Sequence, residues 1–173
     1  MSTYTSSTEN TLQAGLQKAK LNNYRTLIEE MILPKFKIGD CFVTLTFKEG
    51  YKYNEVSYSE KLKKFSQKLN RAIYGKSYDK GRIFLNIVPI AEFSNSQGLH
   101  IHILLQRPEP NDRYKGSFEA LIKRIWLSMN WGTQSCAQDI RDIYDVEGAV
   151  KYITKQIYSS NDALRFDINN CKW

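Results

Sequence analysis

His100 and His102 are the only two histidines in the 173-residue chain, and a single residue, Ile101, separates them. Side chains at i and i+2 of an extended strand leave the same face, so both imidazoles point one way. The surrounding stretch Ala91 to Leu105, AEFSNSQGLHIHILL, reads as a strand, a polar connection (Ser94, Asn95, Ser96, Gln97, Gly98) and a second strand. That pattern predicts an antiparallel hairpin. Folded symmetrically about Ser96, the hairpin sets Glu92 opposite His100 on the histidine face. Two imidazoles and a carboxylate then converge as a facial ligand set, leaving positions open for water or substrate. A lone strand histidine is ordinarily structural. Here a pair shares one face while Leu99, Ile101 and Ile103 supply the buried one, and the reading is a metal site. His/His/Glu with oxygen-rich open positions suits Mg²⁺ or Mn²⁺, with zinc as the alternative.

A second strand, Cys41 to Phe47 (CFVTLTF), is rich in β-branched and aromatic residues. Val43, Leu45 and Phe47 form its core face. Phe42, Thr44 and Thr46 form the other, a partly polar surface open to ligand or to solvent. The remaining elements follow from periodicity and punctuation. Leu12, Leu16, Ala19, Leu27 and Met31 predict a helix from Glu9 to Ile32, inward along that stripe and ended by Pro34. Ser57 and Glu60 read as a capping box, opening a helix to Tyr74 that is stopped by Gly75. Arg82 to Phe93 is the first hairpin strand, with Pro89 implying a bulge or a missing ladder bond. Ser117 to Met129 is an amphipathic helix. Cys136 to Tyr144 is an edge strand, and Asp145 caps a last helix to about Tyr158. Between two outer helices the order is β-α-β-β-α-β, the split, ferredoxin-like α+β arrangement. It makes the first and third strands neighbours and brings Thr44 and Thr46 beside His100 and His102. Residues 1–8, rich in Ser and Thr, are expected to be disordered, with residues 9–173 forming one domain.

Net charge is +7, and the excess is uneven. Lys48 to Arg82 holds ten basic residues against four acidic ones, a net of +6. Lys48, Lys52, Lys61, Lys64, Lys68, Arg71, Lys76, Lys80 and Arg82, with Thr44 and Thr46, are the candidate DNA contacts. Tyr51, Tyr53, Tyr58, Phe65, Tyr74 and Tyr78 are interleaved with them. Clustered cations attract phosphates and exposed rings stack on unpaired bases, although a lysine face also serves solubility alone. Gly75-Lys76-Ser77 ends like a phosphate-binding loop, but Asn70 stands where such a loop needs glycine, and the segment follows a helix rather than a strand; an ATPase is excluded. No apolar run reaches membrane length, and the N-terminus lacks the apolar core of a signal peptide. Cys41, Cys136 and Cys171 are widely spaced and read as reduced thiols of an intracellular protein. The expected compartment is a prokaryotic cytoplasm, or the host nucleus for a eukaryotic virus.

In the last helix Val146, Val150, Ile153 and Ile157 form the buried stripe. Tyr152 sits at its margin and Lys155 further outward on the same flank. A flanking tyrosine ordinarily packs with its hydroxyl in water. In order, FVTLTF, GLHIHILL and VKYITKQ closely resemble the three motifs of the HUH endonucleases, which include rolling-circle replication initiators (Rep proteins); they span residues 42 to 156. The resemblance implies a metal at His100 and His102 with Glu92 as third ligand. It implies Tyr152 as the nucleophile of a one-tyrosine enzyme, with Lys155 assisting. The expected reaction is nicking and rejoining of single-stranded or hairpin DNA at a replication origin through a 5′-phosphotyrosyl bond, alongside a host helicase and polymerase, the chain having no helicase domain. Transposases and relaxases share this chemistry. The alternatives are a non-catalytic single-strand-binding module on the same frame, and a metal-dependent phosphodiesterase that uses water.

Overall fold

The computed structural model describes residues 5–49, 52, 55–94, 98–110, 113–114, 116–131, 138–158 and 170–171. Four strands, β1 (Cys41–Thr46), β2 (Ile87–Ser94), β3 (Gly98–Leu105) and β4 (Gln138–Asp142), form one antiparallel sheet in the order β2-β3-β1-β4. Between β1 and β2 runs α2 (Glu55–Tyr74), followed by the short α3 (Lys76–Asp79); between β3 and β4 runs α4 (Phe118–Leu127). Flanking helices α1 (Thr5–Ile32) and α5 (Val146–Thr154) complete the α+β fold. β1 and β2 are separated by β3, antiparallel to both, so each crossover is the split βαβ unit expected from the element order.

Alternation sorts the strand residues into two faces. Val43, Leu45, Leu99, Ile101, Ile103 and Ile87 point to one side and are sealed by Leu62, Phe65 and Leu69 of α2 with Leu121, Ile122 and Trp126 of α4. On the other side Val88, Ile90 and Leu104 meet Ile28 and Ile32 of α1 and Val150, Ile153 and Ile157, the last in the 3-10 turn that follows α5. Burying these branched and aromatic side chains on both faces supplies the main drive to fold. At the end of the sheet remote from the hairpin, the Asp40 carboxylate accepts from the Lys37 and Arg107 backbone N–H groups, at 2.8 Å each, and ties the entry of β1 to the exit of β3.

Several boundaries differ from the sequence reading. Helix α1 begins at Thr5, inside the segment expected to be disordered; residues 1–4 lie outside the described residues. Its inward stripe is also different. Leu16, Ala19, Leu27 and Met31 are exposed, while Ile28 and Ile32 are buried, because only the C-terminal part of the helix meets α5 and the sheet. Ser57 is not a cap: α2 starts two residues earlier, and the Ser57 carbonyl accepts from Lys61 Nζ. β2 starts at Ile87 rather than Arg82, since side chains take up the preceding N–H groups: Leu85 N–H donates to Asn70 Oδ1 at 2.7 Å and Asn86 N–H to Gln106 Oε1 at 3.0 Å. No bulge occurs at Pro89, which pairs with Ile103 in an unbroken register. β2 is an edge strand, where proline is tolerated. Ser117 and Asp145 do cap α4 and α5, accepting from Ala120 N–H and Gly148 N–H. Cys136 and most of the tail after Tyr158 lie outside the described residues; Asn170, however, is buried and bonded to Ser59.

Candidate active site

Cross-strand register assembles the site. Glu92 pairs with His100, Thr46 with His100, and Thr44 with His102, so one sheet face carries all five residues near the hairpin end. Glu92 Oε2 lies 2.9 Å from His102 Nε2 and 3.5 Å from His100 Nε2. Donors bound to one Mg²⁺-sized ion at right angles stand about 3 Å apart, so these separations suit a shared cation. The other ring nitrogens face away from the convergence point. His102 Nδ1 is 3.0 Å from Thr44 Oγ1, and His100 Nδ1 is 3.4 Å from the Gly98 carbonyl. With hydrogens on both Nδ1 atoms, these outer partners fix the tautomer that turns each Nε2 lone pair toward Glu92. Two lone pairs and a carboxylate aimed at one point repel unless a proton or a cation lies between them. Burial lowers the His102 pKa, and its hydrogen bond to Glu92 opposes the shift without overcoming it. The neutral, ligating form of the imidazole is thereby favoured.

From the opposite side, α5 brings Tyr152. Its ring stands edge-on to His102 at 5.8 Å between centroids and edge-on to Phe42 at 5.6 Å, and 47% of the residue stays exposed. Lys155 holds its ammonium 3.6 Å from the Tyr152 ring centroid, over the aromatic face rather than out in solvent. The structure therefore brings Glu92, His100, His102, Thr44, Thr46, Tyr152 and Lys155 together. Thr44 acts here on His102, a use the strand pattern did not reveal. Phe42 was also missed as a site residue, although alternation had already placed it on the same face as Thr44 and Thr46.

The candidate DNA-binding cations divide. Lys48 follows directly on the strand end that carries Thr46, beside His100. Lys52 pairs with Glu49 at 2.8 Å. Lys61, Lys64, Lys68 and Arg71 belong to α2, which packs on the sheet face opposite the histidines; Arg71 bonds Asp79, and Lys61 lies over the Trp131 ring. Lys76, Lys80 and Arg82 are exposed just beyond α2. Tyr58 and Phe65 are core residues, hence no stacking platforms; Tyr51 and Tyr53 lie outside the described residues. A second trio of possible ligands, Cys41, Glu119 and Asp142, is already occupied by protein. Arg107 bonds Glu119 and Asp142, and burial pushes the Cys41 thiol up to about 12, far from the thiolate a metal needs.

A family model of replication-associated proteins, the ORF2 group, matches residues 40–160. The match covers well over half of the chain and runs from the entry of β1 past the end of α5, leaving α1 outside. The chain therefore belongs to this family of replication-associated proteins. No curated protein and no solved structure matches it.

Proposed function

We propose that this replication-associated protein initiates rolling-circle replication as a single-tyrosine HUH endonuclease, nicking and rejoining single-stranded DNA at an origin. The observation that carries the reading is the convergence of Glu92, His100 and His102 on one point, with the half-exposed Tyr152 ring edge-on to His102. The three ligands would hold Mg²⁺ or Mn²⁺, and such an ion supplies positive charge that polarises the scissile phosphate and offsets charge in the transition state.

The chain's own residues account for the rest. The Tyr152 hydroxyl oxygen attacks phosphorus, a P–O bond to Tyr152 forms, the P–O3′ bond breaks, and the phenolic proton is lost while the departing 3′-oxygen gains one. Lys155, over the ring, lies where its charge reaches a phosphate oxygen approaching the hydroxyl. Phe42 and His102 flank the ring and limit its rotation. Because the phosphodiester becomes a phosphotyrosyl ester, rejoining needs no nucleotide cofactor, in keeping with the missing phosphate-binding loop.

Incubation with Mn²⁺ and a labelled pool of single-stranded hairpin oligonucleotides, followed by a denaturing gel, tests this. Label that migrates with protein and disappears with EDTA or in Tyr152→Phe is the expected result. Cleavage without an adduct would assign the reaction to water. EDTA-insensitive binding with no cleavage would instead favour the non-catalytic module.

A further inference from the structure

The nucleophile helix is held on its sheet side only by apolar packing and ring contacts, which resist separation but have little directional preference. Its directional bonds come from elsewhere. Thr154, fully buried inside the apolar stripe of Val150, Ile153 and Ile157, directs its hydroxyl at Glu29 Oε1, 2.6 Å away. The alternative acceptor, the Val150 carbonyl at 2.8 Å, is neutral, so the carboxylate takes the proton more strongly. Arg25 closes the triangle: its Nε donates to the same Glu29 oxygen and approaches Thr154 Oγ1 at 3.2 Å. Its Nη2 reaches across to the Lys151 carbonyl at 3.1 Å. Residues 151 and 154 bracket Tyr152, and at Lys155 the helix tightens into its 3-10 turn.

We propose that α1 is a clamp that sets the rotation of the nucleophile helix, with Arg25, Glu29 and Thr154 as positioning residues for Tyr152; this rests on Tyr152 being the nucleophile. Ile28 and Ile32 of α1 fix the spacing between the helices by packing on Val150, Ile153 and Ile157. Three side chains in one hydrogen-bonded triangle fix the remaining freedom, rotation about the α5 axis. The clamp belongs to a segment outside the family-matched span, so it adds to a site whose other parts all lie within residues 40–160. Tyr152 is borne on the edge of α5, and a small rotation there swings its hydroxyl relative to the histidines. Displacements of that order cost up to about a hundredfold in rate when reacting atoms must be aligned.

The test uses the full chain with Thr154→Val, Thr154→Ser and Arg25→Met. Single-turnover adduct formation is measured with Mn²⁺, beside Mn²⁺ affinity, single-strand affinity and the thermal midpoint. Thr154→Val and Arg25→Met are expected to slow adduct formation by about 10- to 100-fold with both affinities within twofold of the parent. Thr154→Ser is expected to restore the rate. Adduct formation by Thr154→Val within twofold of the parent overturns the clamp, as does a loss that tracks only the unfolded fraction. Because His102 and Phe42 stand edge-on to Tyr152, the ring-proton NMR shifts of Tyr152 report its position without any reaction. Movement of those shifts in Thr154→Val supports the clamp, and unchanged shifts overturn it. A parent chain that forms no adduct, or a Tyr152→Phe chain that does, refutes the nucleophile assignment instead.

Discussion

Replacing Thr44 with Val should cost the site about 10- to 100-fold in affinity for Mn²⁺. The change keeps the β-branched shape on a strand and removes only the oxygen 3.0 Å from His102 Nδ1. In the folded chain that oxygen accepts the Nδ1 hydrogen and leaves Nε2 with its lone pair toward Glu92. Without it, a largely buried N–H has no partner, a loss of about 1–3 kcal/mol. The imidazole can escape by moving its hydrogen to Nε2, where the Glu92 carboxylate waits at 2.9 Å. That tautomer is well satisfied but cannot ligate, and a cation must first reverse it. At about 1.4 kcal/mol per decade, the lost affinity corresponds to roughly 1.4–2.7 kcal/mol, within the range of the lost hydrogen bond. Calorimetric titration of the DNA-free chain with Mn²⁺ at constant pH measures it. Thr44→Ser, which restores the oxygen, should remain within a few-fold of the parent. A Thr44→Val chain that binds Mn²⁺ as tightly as the parent, at an unchanged thermal midpoint, refutes the orienting role of the hydroxyl.

Asn70 is fully buried and receives the Leu85 N–H, so Asn70→Leu should lower stability by about 1–3 kcal/mol, read as a drop in thermal midpoint. Cys41 holds its proton to about 12 in the folded chain against an ordinary 9.0. Below pH 9 both folded and unfolded chains keep the thiol protonated and stability is flat; above it only the unfolded chain releases the proton, so stability falls as pH rises toward 12. Denaturant midpoints across that range should slope downward in the parent and less steeply in Cys41→Ala. Reversing Lys64 and Lys68 to Glu should weaken DNA binding and reduce its salt slope by about one per lysine. Because α2 lies on the sheet face opposite the histidines, the adduct rate at saturating DNA should not change; a slower rate there would place the scissile strand on that face.

How much of this was legible in the sequence depended on the range of the contacts. The hairpin register could be read because it is local: three residues lie between Ser94 and Gly98, and the period of two did the rest. The neighbouring of Thr44 with His102 followed from element order, since a split βαβ topology leaves only one partner for the central strands. What failed was whatever depends on long-range packing. Leu16, Leu27 and Met31 are as apolar as Ile28 and Ile32, and nothing within α1 says which set will meet α5. Tyr58 and Phe65, read as platforms for bases, are drawn into the core because α2 turns its apolar side to the sheet and leaves its lysines on the far side. Thr154 gave the one available signal of the clamp, a hydroxyl within an apolar helical stripe, and its partners lie more than a hundred residues away.

The two halves of the site are built to different tolerances, and the reaction explains why. Glu92, His100 and His102 sit on paired strands, with outer hydrogen bonds fixing both rings, as ligands for an ion must be. Tyr152 sits on a helix, half exposed, braced by rings and by a lysine but given no hydrogen-bonded seat among these contacts. A nucleophile that first attacks a bound strand and then carries its end until rejoining needs that freedom at the side chain. The helix below it needs the opposite, since any rotation of α5 would be added to the motion of the ring. A directional clamp under the helix and soft, ring-only packing above it satisfy both demands, and this places the constraint at Thr154 rather than at Tyr152 itself.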